Sequence, residues 1–377
     1  MVNCEWRTLT IFEHAFDNRK NLIKYILNQK IKNMKTYLLL LLLVVTQFSM
    51  QAQVKPGQEP YMTKSLSNES IKDVQVRTSG GSISVEGVSA QARVEVYVSS
   101  NNNKELSKAE IQQRLNEMYD LSVSAANSKL TATAKSKERI KDWKKALNIS
   151  FKVFVPKNVS TDLETSGGSI SLTNLSGSQE FSTSGGSLDV DNVSGKVDGK
   201  TSGGSIHLQN SKDDIELSTS GGSIEAKNCD GKLRLTTSGG SLDLSDLKGD
   251  IEAKTSGGSV HGSNIGGELN THTSGGSVHL SDLSCSLEAS TSGGNIDVSI
   301  KQLGKYVKIS NSGGNIDLEL PKGKGMDLDL SGDKIKTNHL DNFTGKFGDE
   351  EVNGKLNGGG VPVRVEAGSG RISLALK

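Results

Sequence analysis

A parallel β-solenoid, all-β and built from 18-residue coils, is the fold class this sequence predicts. Three observations point to it: a tetrapeptide that returns at a fixed interval, apolar residues spaced two apart within each interval, and glycines that punctuate the strands. Thr-Ser-Gly-Gly begins at Thr78, Thr165, Thr183, Thr201, Thr219, Thr237, Thr255, Thr273 and Thr291, and from Thr165 onward the spacing is 18 every time. A variant opens at Asn311 after 20 residues. A fixed period of this size means stacked supersecondary units.

Taking the Thr as position 1, position 6 is always apolar: Ile170, Leu188, Ile206, Ile224, Leu242, Val260, Val278 and Ile296. Position 8 follows it, as in Leu172, Val190 and Leu280, with Gly262 the exception. Positions 15 and 17 repeat the pair, as in Ile215 and Leu217 or Leu233 and Leu235, and position 11 adds Leu175, Val193, Cys229, Leu247, Ile265 and Leu283. Alternation at two residues is a strand signature, so each repeat reads as two short strands with inward apolar side chains. Recurrent Gly-Gly opposes helix. Gly at positions 3, 4 and often 13 is expected to make corners with positive φ. Asn or Asp at position 10, from Asn174 to Asp282, suits an Asx turn or a left-handed residue, and such side chains would stack into a ladder. Parity turns the position-1 Thr inward, which argues against an ice-binding face of outward Thr rows. A right-handed coil follows from the chirality of parallel crossovers.

Outside the regular block at 165–320 the pattern continues. Thr78 opens a coil with Ile83 and Val85 at positions 6 and 8, followed by Val88, Ala92 and Val94. Residues 53–164 therefore read as a first coil and N-terminal cap, interrupted by an α/β insertion at about 99–148. Within it, Ser107 and Glu110 form a capping box for a helix to about Asp120. Leu121–Ala126 and Lys129–Lys135 read as a hairpin around Asn127-Ser128, Glu138–Leu147 as a short basic helix, and Ile149–Val155 as a strand returning to the stack. Residues 321–377 read as irregular C-terminal coils and a cap, with Ile372 and Leu374 echoing the repeat. Solenoid ends need such caps against edge pairing.

Lys+Arg number 44 and Asp+Glu 43 in 377 residues, so no overall basic field points to nucleic acid. Residues 34–52, MKTYLLLLLLVVTQFSMQA, follow signal-peptide grammar: Lys35, an apolar run Tyr37–Val45, and a small residue Ala52. Nine apolar residues fall short of the roughly 20 that span a bilayer. Translation is expected to start at Met34, with residues 1–33 an upstream leader that is not native, and the exported chain to start near Gln53. Cys229 and Cys285 lie three coils, or about 14 Å, apart, beyond the ~7 Å that a disulfide allows. Both are expected to be free; Cys4 lies in the leader.

These repeats, with the Val155–Asn158 turn VPKN and the closing LNGGGVPVRVEAGSGRISL at Leu356–Leu374, resemble the bacterial DUF4097 β-strand-repeat family over about 71–377. The resemblance implies a solenoid exposed outside the cytoplasm and a candidate adhesin. It carries no catalytic or binding residues. The unusual regularity of the TSGG units departs from the family and implies recent repeat expansion.

Three constellations could carry chemistry. The outward position-7 column reads Ser171, Asp189, His207, Glu225, Asp243, His261, His279, Asp297, and its members Asp243, His261, His279 and Asp297 are candidate metal ligands, set against an ordinary solvated face. His272, at position 18, is less well placed to join them. The position-16 column Glu180, Asp198, Glu216, Arg234, Glu252, Asn270, Glu288 could take calcium, but the Gly/Asp pattern of calcium β-rolls is missing, and Lys196, Lys200 and Lys254 offset the charge. A basic cluster of Lys135, Lys137, Arg139, Lys141, Lys144 and Lys145 surrounds Ile140, Trp143 and Leu147, an apolar trio that would seat a helix on the solenoid, with an acidic glycan or anionic membrane as its functional reading. Ser194–Thr201 lacks the first Gly of a phosphate loop, and no Ser/His/Asp arrangement or CxxC is present. The expectation is therefore an exported, non-enzymatic adhesin or surface interaction module without a cofactor, contacting a glycan or a surface protein. A self-associating envelope scaffold and a polysaccharide-acting enzyme are the alternatives.

Overall fold

The computed structural model describes residues 59–377, apart from 68, 103–104, 139–141 and 339. Ala52–Lys377 is one compact unit, with a continuous apolar core running from Leu66 to Leu374. The leader, the signal-peptide segment and Cys4 lie outside the described residues.

Each repeat lays its strands in parallel register with the next, so identical positions face one another along the stack. Ile170–Thr173 pairs with Leu188–Asp191, and Ser176–Thr183 with Ser194–Thr201, residue for residue at a displacement of 18. The expected pair of strands per coil holds at first. From Ile224–Thr237 to Val278–Thr291 the two merge into continuous 13- or 14-residue strands. The bend survives there at position 10, where Asn174, Asn192, Asn210, Asn228, Asp246, Asn264 and Asp282 all take φ between 52° and 59°. Their side chains form part of the expected ladder: Asn192 Nδ2 donates to Asn174 Oδ1 at 2.6 Å and Asn228 Nδ2 to Asn210 Oδ1 at 2.8 Å.

The position-1 threonines are buried, and each hydroxyl spans two coils. Thr237 Oγ1 donates to the Gly222 carbonyl of the preceding coil at 2.7 Å and accepts from Gly240 N of its own coil at 3.3 Å. The arrangement repeats from Thr165 to Thr291. Thr78 begins it by donating to the Ile149 carbonyl, and Asn311 Nδ2 ends it on the Gly294 carbonyl. The coils beyond carry Ala134 and Ala367 at this position, paired with Thr78 and Asn311.

This geometry corrects the expectation for the TSGG glycines. None of them has positive φ, whereas Gly177, Gly195, Gly231, Gly249 and Gly267 at position 13 do. Position 4 is Gly because of close approach: a Cβ on Gly186 would lie 2.1 Å from the Gly168 carbonyl oxygen, the one that Thr183 uses. A Cβ on Gly185, at position 3, would meet nothing nearer than 3.6 Å.

The ends exchange chain order. Lys129–Ser136 runs parallel to Asp73–Thr78, and Leu147–Val155 runs parallel to Ile83–Gly87. The expected insertion therefore supplies a coil of its own, stacked outside the Thr78 coil. Thr78 sits between that coil and the Thr165 coil. Val94 does not continue a parallel coil: Arg93–Ser100 turns back antiparallel to Leu147–Val155 and is covered by Met62–Ser65. The hairpin is present as Tyr119–Ala126 and Lys129–Ser136, its turn residues Asn127 and Ser128 both left-handed. The helix runs Lys108–Met118 with the Ser107/Glu110 capping box formed. Of the expected short basic helix, residues 139–141 lie outside the described residues; its later part holds a 3-10 turn, Trp143–Lys145, and Leu147 belongs to the returning strand.

At the other end Val361–Ala367 and Arg371–Leu376 stack on Val307–Asn311 and Ile316–Leu320. Met326–Ser331 and Lys334–Thr337, earlier in sequence, lie outside them. Glu351–Leu356 and Phe343–Phe347 add antiparallel cover.

Gly186→Ala is expected to lower stability by about 1–3 kcal/mol, the usual cost of overpacking, while Gly185→Ala stays within about 0.5 kcal/mol; denaturant midpoints of the two variants check this. Thr237→Val, which keeps the shape and removes the hydroxyl, is expected to cost about 1–3 kcal/mol and Thr237→Ser less, read the same way.

Candidate functional site

Register alone brings the position-7 side chains together. Successive pairing of Glu225, Asp243, His261, His279, Asp297 and Asp317 sets one on each rung of a single sheet face, a row about 24 Å long at 4.8 Å per rung. Two residues on, at equal parity, Ser245, Ser263, Ser281, Ser299 and Glu319 form a second row beside it. Together they line an open groove of about 540 Å³ whose floor includes Leu244, Gly262, Leu280 and Val298. Gly262 replaces the usual inward side chain of position 8, beneath the groove; a Cβ there would lie 2.6 Å from Leu280 Cδ2.

The four candidate residues Asp243, His261, His279 and Asp297 all line this groove. The rings of His261 and His279 stack at 5.2 Å between centroids and 12° between planes. His279 Nδ1 lies 2.7 Å from Asp297 Oδ2. In a neutral ring that donates from Nδ1, Nε2 is left as an acceptor. Further along the column His207 Nδ1 approaches Glu225 Oε2 at 3.4 Å. Burial holds the Asp189 carboxyl above its usual range, with His207 pulling it back down. Among the described residues no three His, Cys, Asp or Glu side chains converge as a metal cluster. A ladder arranges such groups in a row, whereas tetrahedral coordination needs them around a point. His272 stands apart, bonded to Ser290 Oγ at 2.8 Å.

The serine row and the two carboxylates Asp317 and Glu319 escaped sequence reasoning. The signal was present, since position 9 shares the parity of position 7, but four serines in a Ser-rich repeat carry no distinctive chemistry until a concave surface gathers them. No lysine or arginine lines the groove, which holds five carboxylates.

Basic side chains pair with part of the position-16 column. Arg234 reaches Glu216 at 3.7 Å and Glu252 at 3.6 Å, and Lys200 reaches Asp198 at 3.2 Å. The Lys254 ammonium beside Glu252 holds that carboxyl below the usual range. Ser194–Thr201 is a regular strand of the stack. In the basic segment, Leu147 is buried but Trp143 is 69% exposed, so Trp143 does not seat a helix; Arg139, Ile140 and Lys141 lie outside the described residues. Cys229 and Cys285 are free and buried in separate coils, and burial pushes the Cys285 thiol up to about 12.

The family model Toastrack DUF4097 matches residues 209–375. This match marks a stretch similar to the Toastrack family. Its start is no structural boundary, because Gln209 pairs with Asp191 before it and Lys227 after it, and the same stacking continues upstream of the Toastrack match. No curated protein matches the chain. Similar solved structures include a candidate cell adhesion protein from Clostridium sporogenes, 13% identical, covering 84% of this chain and 98% of its own at a TM-score of 0.19. A candidate adhesin from Parabacteroides distasonis is 11% identical, covering 83% and 96% at 0.32. A candidate adhesin from Bacteroides fragilis is 9% identical, covering 84% and 96% at 0.22. No helix among the described residues is long and apolar enough to cross a membrane.

Neither Cys229 nor Cys285 is expected to react with a thiol reagent at pH 8 in the folded 53–377 fragment, because burial disfavours the thiolate. Both are expected to titrate once the fragment is denatured, giving two equivalents.

Proposed function

We propose that this chain is an exported, non-enzymatic β-solenoid acting as a surface interaction module, and that it takes a glycan along the position-7 groove. The observation that carries the reading is the groove itself. It is an open channel across six rungs, lined by carboxylates, imidazoles and a row of serine hydroxyls. Those groups accept and donate hydrogen bonds without demanding a charged partner, which suits the many hydroxyls of a sugar chain. Export is supported by the signal-peptide grammar of residues 34–52. A catalytic reading has less support: His261 and His279 are stacked on each other, and no groove serine is hydrogen-bonded to either of them among the described residues. End-to-end scaffold assembly also has less support, since antiparallel strands cover both ends of the stack.

The test is glycan-array and whole-cell binding by fragment 53–377, with and without divalent metal. Saturable binding is expected, weakened about tenfold or more by Asp297→Ala, the effect of losing one charge-assisted hydrogen bond. Arg234→Ala, on a different strand face, is expected to leave binding unchanged. Turnover of an acidic polysaccharide that disappears in the His261→Ala/His279→Ala double variant would overturn the non-enzymatic reading. Absence of binding together with concentration-dependent self-association would replace the module with a scaffold.

A further inference from the structure

Trp143 is an exposed large hydrophobic residue on a chain with few aromatics, and among the described residues it is not covered. It opens the 3-10 turn Trp143–Lys145, in the coil that stacks outside Thr78 at the N-terminal end of the solenoid. The turn is fixed rather than loose: Asp142 caps it at Lys144 N, and Asn101 Nδ2 donates to the Trp143 carbonyl. Lys144 and Lys145 follow directly, both exposed, and Lys135 and Lys137 leave the preceding strand exposed as well. Among the described residues Lys135, Lys144 and Lys145 have no ion pair, while Lys137 reaches Asp120 at 3.9 Å. The sequence from Lys135 to Lys145 carries six basic residues against Glu138 and Asp142.

An indole held in solvent beside unpaired lysines is costly in water and well matched to the headgroup region of a bilayer. There the ring buries its apolar body, the N–H keeps a polar partner, and the lysines meet anionic phosphates. A soluble polyanion would need the lysines but would leave the indole without a use. We propose that this Trp143-Lys144-Lys145 corner docks the N-terminal end of the solenoid on an anionic lipid surface, leaving the position-7 groove, on the outer face of the sheet, free for its own ligand. The site is independent of the glycan reading and stands or falls separately.

Trp143 is the only tryptophan after Trp6, so the fluorescence of fragment 53–377 reports this residue alone. The fragment is mixed with phosphatidylcholine vesicles containing phosphatidylglycerol, and with vesicles of phosphatidylcholine alone. Cosedimentation and a blue shift of Trp emission are expected with the anionic vesicles only, and both are expected to fade as salt shortens the screening length below its roughly 10 Å at 0.1 M. Lys144→Ala/Lys145→Ala should weaken binding about 25-fold, near fivefold for each lysine in the field of an anionic leaflet, with unchanged circular dichroism. Trp143→Ala should weaken it with the fold intact. Equal binding to both vesicle types, binding that ignores these variants, or retention on heparin without a blue shift would each overturn the proposal, the last in favour of a soluble polyanion.

Discussion

One hydroxyl per coil ties this stack together. The position-1 Thr gives its proton to the position-4 Gly carbonyl of the coil before it and takes the position-4 N–H of its own coil. The same carbonyl oxygen occupies the space that a Cβ at position 4 of the next coil would fill. Thr and Gly at these two positions are therefore a single device: the missing Cβ lets the coils close, and the hydroxyl satisfies the polar groups that closure buries. The contact recurs in step with the apolar positions 6, 8, 15 and 17, and the outer coils that carry Ala134 and Ala367 keep the same register through their strand pairing.

Packing between coils then becomes a matter of neighbours. Phe181 illustrates it: a Cβ on Gly199, at the same position one coil later, would lie 2.5 Å from the Phe181 ring, so a large residue is matched by the smallest beside it. Such compensation is local, as expected where each unit contacts only the units on either side. The ends are the exception. At both, the outermost coil comes from a segment that lies between two inner coils in sequence, and antiparallel strands cover it. The coil carrying Thr78 and the coil carrying Ala367 are thereby held between two neighbours instead of forming a free edge. That arrangement leaves short outer strands, Met62–Ser65, Tyr119–Ala126, Lys334–Thr337 and Phe343–Phe347, as the edges in place of a long flat one.

The stacking that makes the fold also limits its chemistry. Equivalent residues fall about 4.8 Å apart in straight rows, which suits extended recognition better than a compact catalytic or metal centre. In the position-7 row His261 lies against His279 and His279 against Asp297, and the proposed recognition rests on the groove they line together. At the basic corner the opposite holds: a break in the repeat, where Leu147 is drawn into a strand, leaves Trp143 facing solvent. Regularity provides an extended face and irregularity an exposed side chain.

The 18-residue period, the inward apolar columns, the left-handed Asn and Asp corners and the membership of the position-7 column were all legible in the sequence, because each depends on spacing and local backbone preference alone. The tertiary structure decided what spacing cannot encode. It decided why position 4 is Gly, since the clash lies with a neighbouring coil and not with the residue's own φ. It decided that Val94 turns back and that Lys129–Ser136 becomes a coil, since an apolar alternating strand reads alike in parallel and antiparallel pairing. It decided that Trp143 is exposed, and that serines two residues beyond the histidines share their groove. Local sequence fixes the conformation of a strand; which strand lies beside it is settled only by the competition of all strands for the same edges.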